Sequence, residues 1–182
     1  MGRQIALLRG INLGARRRVG MAQLRASIED LGYGDVGTLL QSGNVVFSAA
    51  AQPPAKLTAQ LEQQLAKTFG FDIQVVVRSH KELAAVVHAN PLADVAKDPK
   101  RYLVYFLATK VPAKRLADLD ADDVAPEIFK LMGKEIYLWS PEGLQNARVS
   151  KALTEKRLGV VATGRNWSTV ENLLELAEAG SA

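Results

Sequence analysis

The chain has 182 residues, 48% of them hydrophobic and 23% charged, with a formal net charge of +4. That length fits one domain or two small ones, with interior enough to fold without a disulfide or metal staple. Cysteine is absent, which excludes a disulfide framework and a thiolate nucleophile and suits a reducing cytosol.

The only apolar run near the N-terminus, Ile5 to Leu8, is too short for a signal peptide or a membrane span. A soluble, cytoplasmic protein without membrane association is expected. Charge is unevenly spread. Six arginines and no acid lie between Met1 and Ile28, while five acids and no base lie between Ala117 and Glu127. The first block attracts anions; the second reads as a solvated loop or counter-surface.

In chain order, Arg3 to Arg9 reads as a short buried strand with charged ends. The loop GINLGARRRVG that follows is irregular, with Gly10, Gly14 and Gly20. Met21, Leu24, Ile28 and Leu31 then fall on one face of a helix closed by Gly32 or Gly34. Val36 to Leu40 and Asn44 to Ser48 are the next strands, joined by the turn at Gln41-Ser42-Gly43. Pro53 and Pro54 open a second helix with Leu57, Leu61, Leu65 and Phe69 on one face and Gly70 behind it. Ile73 to Val77 is the fourth strand. The order β-α-β-β-α-β is that of the split βαβ, ferredoxin-like plait.

Ser79 and Glu82 form a capping box for a helix that ends at Asn90-Pro91, and a linker runs to Lys100. A second unit begins with a strand at Tyr102 to Ala108 and a short helix at Pro112 to Leu119. A hairpin of Glu127 to Leu131 and Glu135 to Trp139 turns around Gly133. Ser150 caps a helix that reaches Leu158, Val160 to Thr163 is short for a strand, Arg165 to Trp167 reads as a polar loop, and a last helix starts at a capping box of Ser168 and Glu171. This half repeats β-α-β-β-α without a clear closing strand and without sequence repetition. The expected class is α+β: two tandem ferredoxin-like (α/β-plait) domains with antiparallel sheets, over 1–78 and 101–182, joined by a helix and linker at 79–100.

In a plait the first and third strands are antiparallel neighbours. That brings Arg9 and Asn12 beside Gln41, Ser42 and Asn44, with Arg16 to Arg18 overhead. Glycines before a helix start, with arginines at hand, suit a phosphate or carboxylate. The same glycines also serve the turns, and GINLG is neither a Walker A loop nor GxGxxG. Ser150 and Lys151 are adjacent at a helix start, where they do not face one another, so Ser150 reads as a cap rather than a nucleophile. Arg165 is a candidate to complete an anion site, and Trp167 an aromatic anchor. His80 and His88 stand two turns apart with no further ligands, so neither a metal nor another cofactor is expected. No catalytic residue can be named.

The segments LLRGINLG, MAQLR, LGYGDVGTLLQSGNVVF and SKALTEKRLGVVATGRNWSTV closely resemble the bacterial family called domain of unknown function 1697. The resemblance implies two tandem plaits and supplies no activity. Its motif, carried over position by position, points to Arg9, Gly10, Asn12, Gly14, Gln41, Ser42, Gly43, Asn44, Lys151, Arg165, Asn166 and Trp167. The function expected is binding of a small anionic ligand at the first loop and hairpin. Nucleic-acid (RNA) binding through the basic first domain is the alternative, although no RNP1-like motif is present. An enzyme using Ser42 or Lys151 on the same ligand is a weaker one. A monomer or a homodimer fits equally.

Overall fold

The computed structural model describes residues 1–14, 17–116, 125–144 and 155–180. Contacts divide the chain into two units: Met1–Ala85 together with the residues from Glu171 onward, and Val86–Val170.

The first unit runs β1 (Gly2–Leu8), α1 (Met21–Glu29), β2 (Gly34–Leu39), β3 (Asn44–Ala49), α2 (Pro54–Phe69) and β4 (Val75–Ser79). Its sheet has the order β2-β3-β1-β4 with every pair antiparallel, as the plait requires. Side-chain alternation on the central strands builds the core. Ala6, Leu8, Val45, Phe47, Val75 and Val77 pack with Leu24 and Ile28 of α1 and with Leu57, Leu61 and Leu65 of α2. The alternate residues Ile5, Leu7, Val46 and Val76 are buried too, which is why β3 reads as a continuous apolar run rather than an alternating one.

Helix α2 has Pro54 in its first turn, where a missing N–H breaks no bond, and ends at Gly70, left-handed with φ 76°. Glu62 of α2 accepts the Val75 amide at 2.9 Å, at the start of β4. Ser79 and Glu82 form the expected reciprocal cap of α3 (His80–Ala89). The Ser79 amide donates to Glu82 Oε2 at 2.8 Å, and the Glu82 amide donates to Ser79 Oγ at 3.2 Å.

The second unit contains β5 (Tyr102–Leu107), α4 (Ala113–Leu116), β6 (Ile128–Met132), β7 (Glu135–Trp139), α5 (Glu155–Leu158), β8 (Ala162–Asn166) and the start of α6 (Trp167–Ala179). Its sheet order is β6-β7-β5-β8, again antiparallel throughout. This is the plait order a second time. Leu107, Val111, Ile136, Leu138 and Leu158 form its core, with Leu103, Tyr105, Phe129 and Leu131 packed against it.

The closing strand of this second plait corrects the sequence reading. The segment without a clear strand reading, Ala162–Asn166, is β8, paired with β5 from Leu103↔Asn166 to Leu107↔Ala162. Its Gly and Asn are poor strand formers by propensity. Tertiary packing overrides them. A Cβ on Gly164 would stand 3.2 Å from Leu103 Cδ2 and 3.3 Å from Tyr105 Cε1, so the small residue lets β8 lie against β5.

The residues of α6 from Glu171 onward belong with the first unit. There the Arg3 guanidinium donates to the carbonyls of Ala177 (3.3 Å) and Leu176 (3.5 Å) in the last turn of α6, and to Asp35 O (3.0 Å). A cation at a helix C-terminus satisfies orphan carbonyls and opposes the dipole. Among the described residues no helix is long and apolar enough to cross a membrane.

Candidate functional site

The loop after β1 is tied down on both sides as it leaves the sheet. The Leu8 amide donates to the Gly43 carbonyl at 2.8 Å and the Arg9 amide to the Gln74 carbonyl at 2.9 Å. Among the described residues of the loop, Gly10, Asn12, Gly14 and Arg17 are left-handed, with φ of 63°, 54°, 70° and 56°. Glycine adopts this region freely and asparagine more readily than most.

Asn12 closes the loop. Its side-chain nitrogen donates to the carbonyls of Val19 (3.0 Å) and Gln41 (2.7 Å), and its side-chain oxygen accepts the Val19 amide at 2.9 Å. Both amide hydrogens are thereby committed within the fold.

The turn facing it is built the same way. Asn44 is fully buried, and its nitrogen donates to the Leu39 carbonyl at 3.0 Å and to Ser42 Oγ at 2.9 Å. Gly43 has φ 74°, and a Cβ there would stand 2.7 Å from both Leu8 Cβ and Ile11 Cδ1. Leu40 is left-handed as well, with φ 59°, although 60% exposed.

Loop and turn together bound an open cleft of about 320 Å³ lined by Ile11, Asn12, Leu13, Leu40, Gln41 and Ser42. Arg9, expected beside the turn, Arg17, expected overhead, and Arg25 each bond elsewhere in the unit. Arg9 donates to Gln74 Oε1 at 2.9 Å, and Arg25 to Thr38 Oγ1 at 2.9 Å. Arg17 donates to the Asp72 carbonyl and lies over the Phe71 ring, 5.1 Å from its centroid. Arg16 lies outside the described residues, and Arg18 is exposed.

The second cluster divides. Lys151 and Ser150 lie outside the described residues. Arg165, expected in a polar loop, is instead a buried residue of β8 that donates to Thr163 Oγ1 and the Gly164 carbonyl, both at 2.8 Å. Burial lowers its guanidinium to about 10, still far above neutrality, so it keeps its charge. Asn166 replaces the expected Ser168–Glu171 box as the cap of α6. Its side-chain oxygen accepts from the Thr169 amide at 3.0 Å and from Thr169 Oγ1 at 2.6 Å. Trp167 is the anchor expected, stacked on Tyr102 with ring centroids 4.7 Å apart.

One buried group had no sequence signal that was read. Arg78, 2% exposed, occupies in β4 the place that Arg165 holds in β8. Each is the fourth residue of its edge strand, opposite Ile5 in one sheet and Val104 in the other. Each also donates to the carbonyl of the residue before it at 2.8 Å. A capping residue, Ser79 or Asn166, follows each and opens a helix. The repetition lies in strand register, which a comparison by letters does not detect. Among the described residues no group of three or more Asp, Glu or His is placed to hold a metal ion.

The profile of the proteins of unknown function DUF1697 matches residues 1–137. The chain belongs to the DUF1697 family. Among solved structures, a conserved bacterial protein from Streptococcus pneumoniae is similar, with a TM-score of 0.76 and 24% identity over 97% of this chain and 98% of that one. At that identity the likeness establishes the fold. No curated protein matches the chain. The DUF1697 match takes in the whole of the Asn12–Asn44 arrangement and ends within β7, before Lys151, Arg165 and Asn166.

Proposed function

We propose that this DUF1697 protein binds a small anionic ligand, a phosphate or a carboxylate, in the cleft between the β1–α1 loop and the β2–β3 turn. The cleft itself carries the reading: about 320 Å³, at the lower end of small-molecule sites, with walls held in place by the side chains of Asn12 and Asn44. The choice of an anion rests on the charge of the first 28 residues and not on a cation in the lining. No acid occurs between Met1 and Ile28, whereas Arg9, Arg17, Arg18 and Arg25 do. Gln41 and Ser42 provide the polar part of the lining. The roles of Asn12 and Asn44 are to build the walls, so Gln41 and Arg18, both exposed, are the residues with which to test binding.

RNA is the less supported partner. Plaits that stack bases use an open sheet face, and Ile5, Leu7, Val46 and Val76 on that face are buried. The test is an NMR titration of the ¹⁵N-labelled full chain with phosphate, acetate and a short RNA at about 50 and 200 mM salt. Amide shifts centred on residues 11–13 and 40–42 with the small anions, weakened in Gln41→Ala and Arg18→Ala, are expected. No such shifts up to about 20 mM anion would remove the reading, and salt-sensitive shifts with RNA alone would replace it.

A further inference from the structure

Two leucines at the rim of the cleft lack an explanation within the fold. Leu13 is 75% exposed and Leu40 60% exposed, among the most exposed large apolar residues described, and both line the same cleft from different segments. Leu40 is also left-handed, a conformation in which a turn would favour glycine or asparagine. A leucine there opposes the backbone preference and leaves apolar surface in water. Strain held at an exposed position points to a ligand clamp rather than to folding. Behind the two leucines, Ile11 makes the floor apolar, while Gln41 and Ser42 make one side polar. A bare phosphate would meet few side-chain donors here, because both amide hydrogens of Asn12 are already in use.

We propose that the ligand is amphipathic, an anionic head carrying a short apolar chain, with the chain lying between Leu13 and Leu40. This rests on the cleft being an anion site, as proposed above. The anionic head belongs to that reading, and the paired exposed leucines fit the chain.

The experiment titrates the labelled full chain with straight-chain carboxylates from acetate to octanoate, and with octanol, following the amides of residues 11–13 and 40–42. The dissociation constant should fall about two- to fourfold for each added methylene. In the double variant Leu13→Ser/Leu40→Asn that dependence on chain length should flatten. Asparagine tolerates the left-handed backbone at position 40, and unchanged amide positions outside the loop and turn verify that the variant is folded. Acetate and octanoate binding at the cleft with equal affinity would overturn this inference and leave the anion reading standing. A chain-length dependence that survives in the double variant would also overturn it. Phosphate but no carboxylate at the cleft would overturn this inference alone, whereas neither anion at the cleft, or octanol bound as tightly as octanoate, would overturn both.

Discussion

The side-chain nitrogen of Asn12 donates to the carbonyl oxygen of Gln41 at 2.7 Å, across 29 residues of sequence. That bond joins the loop after β1 to the turn between β2 and β3. With the Leu8–Gly43 backbone bond at 2.8 Å, it makes one rigid wall of two segments that would otherwise be separate surface loops. The cleft exists because this joint does.

Replacing Asn12 should therefore cost stability. Asn12→Asp keeps the shape and can still accept the Val19 amide, but it presents a carboxylate to two carbonyls that had received hydrogen bonds. A loss of about 2–3 kcal/mol is expected, read from urea unfolding. Asn12→Gly removes all three side-chain bonds but eases the left-handed backbone and leaves no charge against the carbonyls, and should lose about 1–2 kcal/mol.

Gly43 is required for two reasons at once, its positive φ and the contact at 2.7 Å with Leu8 Cβ, a position that cannot rotate away. Gly43→Ala should destabilise the chain by about 2–4 kcal/mol. Gly10 has φ 63° but open space around its Cβ position, so Gly10→Ala should lose only about 1 kcal/mol. Equal losses in the two variants would show that packing at Gly43 contributes nothing.

Leu40→Asn should do the opposite. Relieving a left-handed, exposed leucine is expected to raise stability by about 0.5–1 kcal/mol, an increase in Tm of about 1–4 °C for a chain of this size. A lower Tm would mean that the side chain packs in the fold and is not held for a ligand.

Alkaline pH should unfold the second unit's aromatic cluster. Burial raises the Tyr102 phenol to about 12, against a smaller opposing effect of the Leu92 backbone. Burial, and next the Glu135 carboxylate, raise Tyr137 further. The neutral phenols are favoured in the folded state, so their contribution is fully present below pH 10 and is lost as pH rises through about 12. In a titration at 295 nm their phenolate absorbance should appear together with loss of circular dichroism. Ionisation of all four tyrosines with the fold intact would contradict this.

Arg3→Ala should loosen the last turn of α6 without unfolding the sheet, because the guanidinium bridges Ala177 O and Leu176 O to Asp35 O. Hydrogen exchange of the α6 amides should accelerate by an amount equivalent to about 1–2 kcal/mol, with protection in β1 and β3 retained.

Much of the fold could be read from residue order. The four strands of the first plait, the Leu57–Leu61–Leu65 face, the Pro54 start and Gly70 stop, and the Ser79–Glu82 box all appear in the structure within a residue or two. These signals are local, arising among neighbours in the chain. The closing strand β8 was not legible, because its Gly164 and Asn166 disfavour a strand until Leu103 and Tyr105 are there to pack and pair with. The cap of α6 was misplaced for a related reason. Asn166 and Ser168 are both good caps, and the chain bonds of Asn166, with Trp167 stacked on Tyr102, set the earlier start.

At the candidate site the residues that meet were legible and their roles were not. Plait order alone brings Asn12 to Gln41, Ser42 and Asn44, since it makes β1 and β3 antiparallel neighbours. The sequence by itself thus determined the plait, its turns and the company these side chains keep. Only the tertiary structure decided that Asn12 and Asn44 hold the walls, that Arg165 is buried, and that Leu13 and Leu40 stand at the rim. A hydrogen-bonding side chain has one set of donors, and whether they face a ligand or a carbonyl 29 residues away depends on which backbone the fold brings within 3 Å of them.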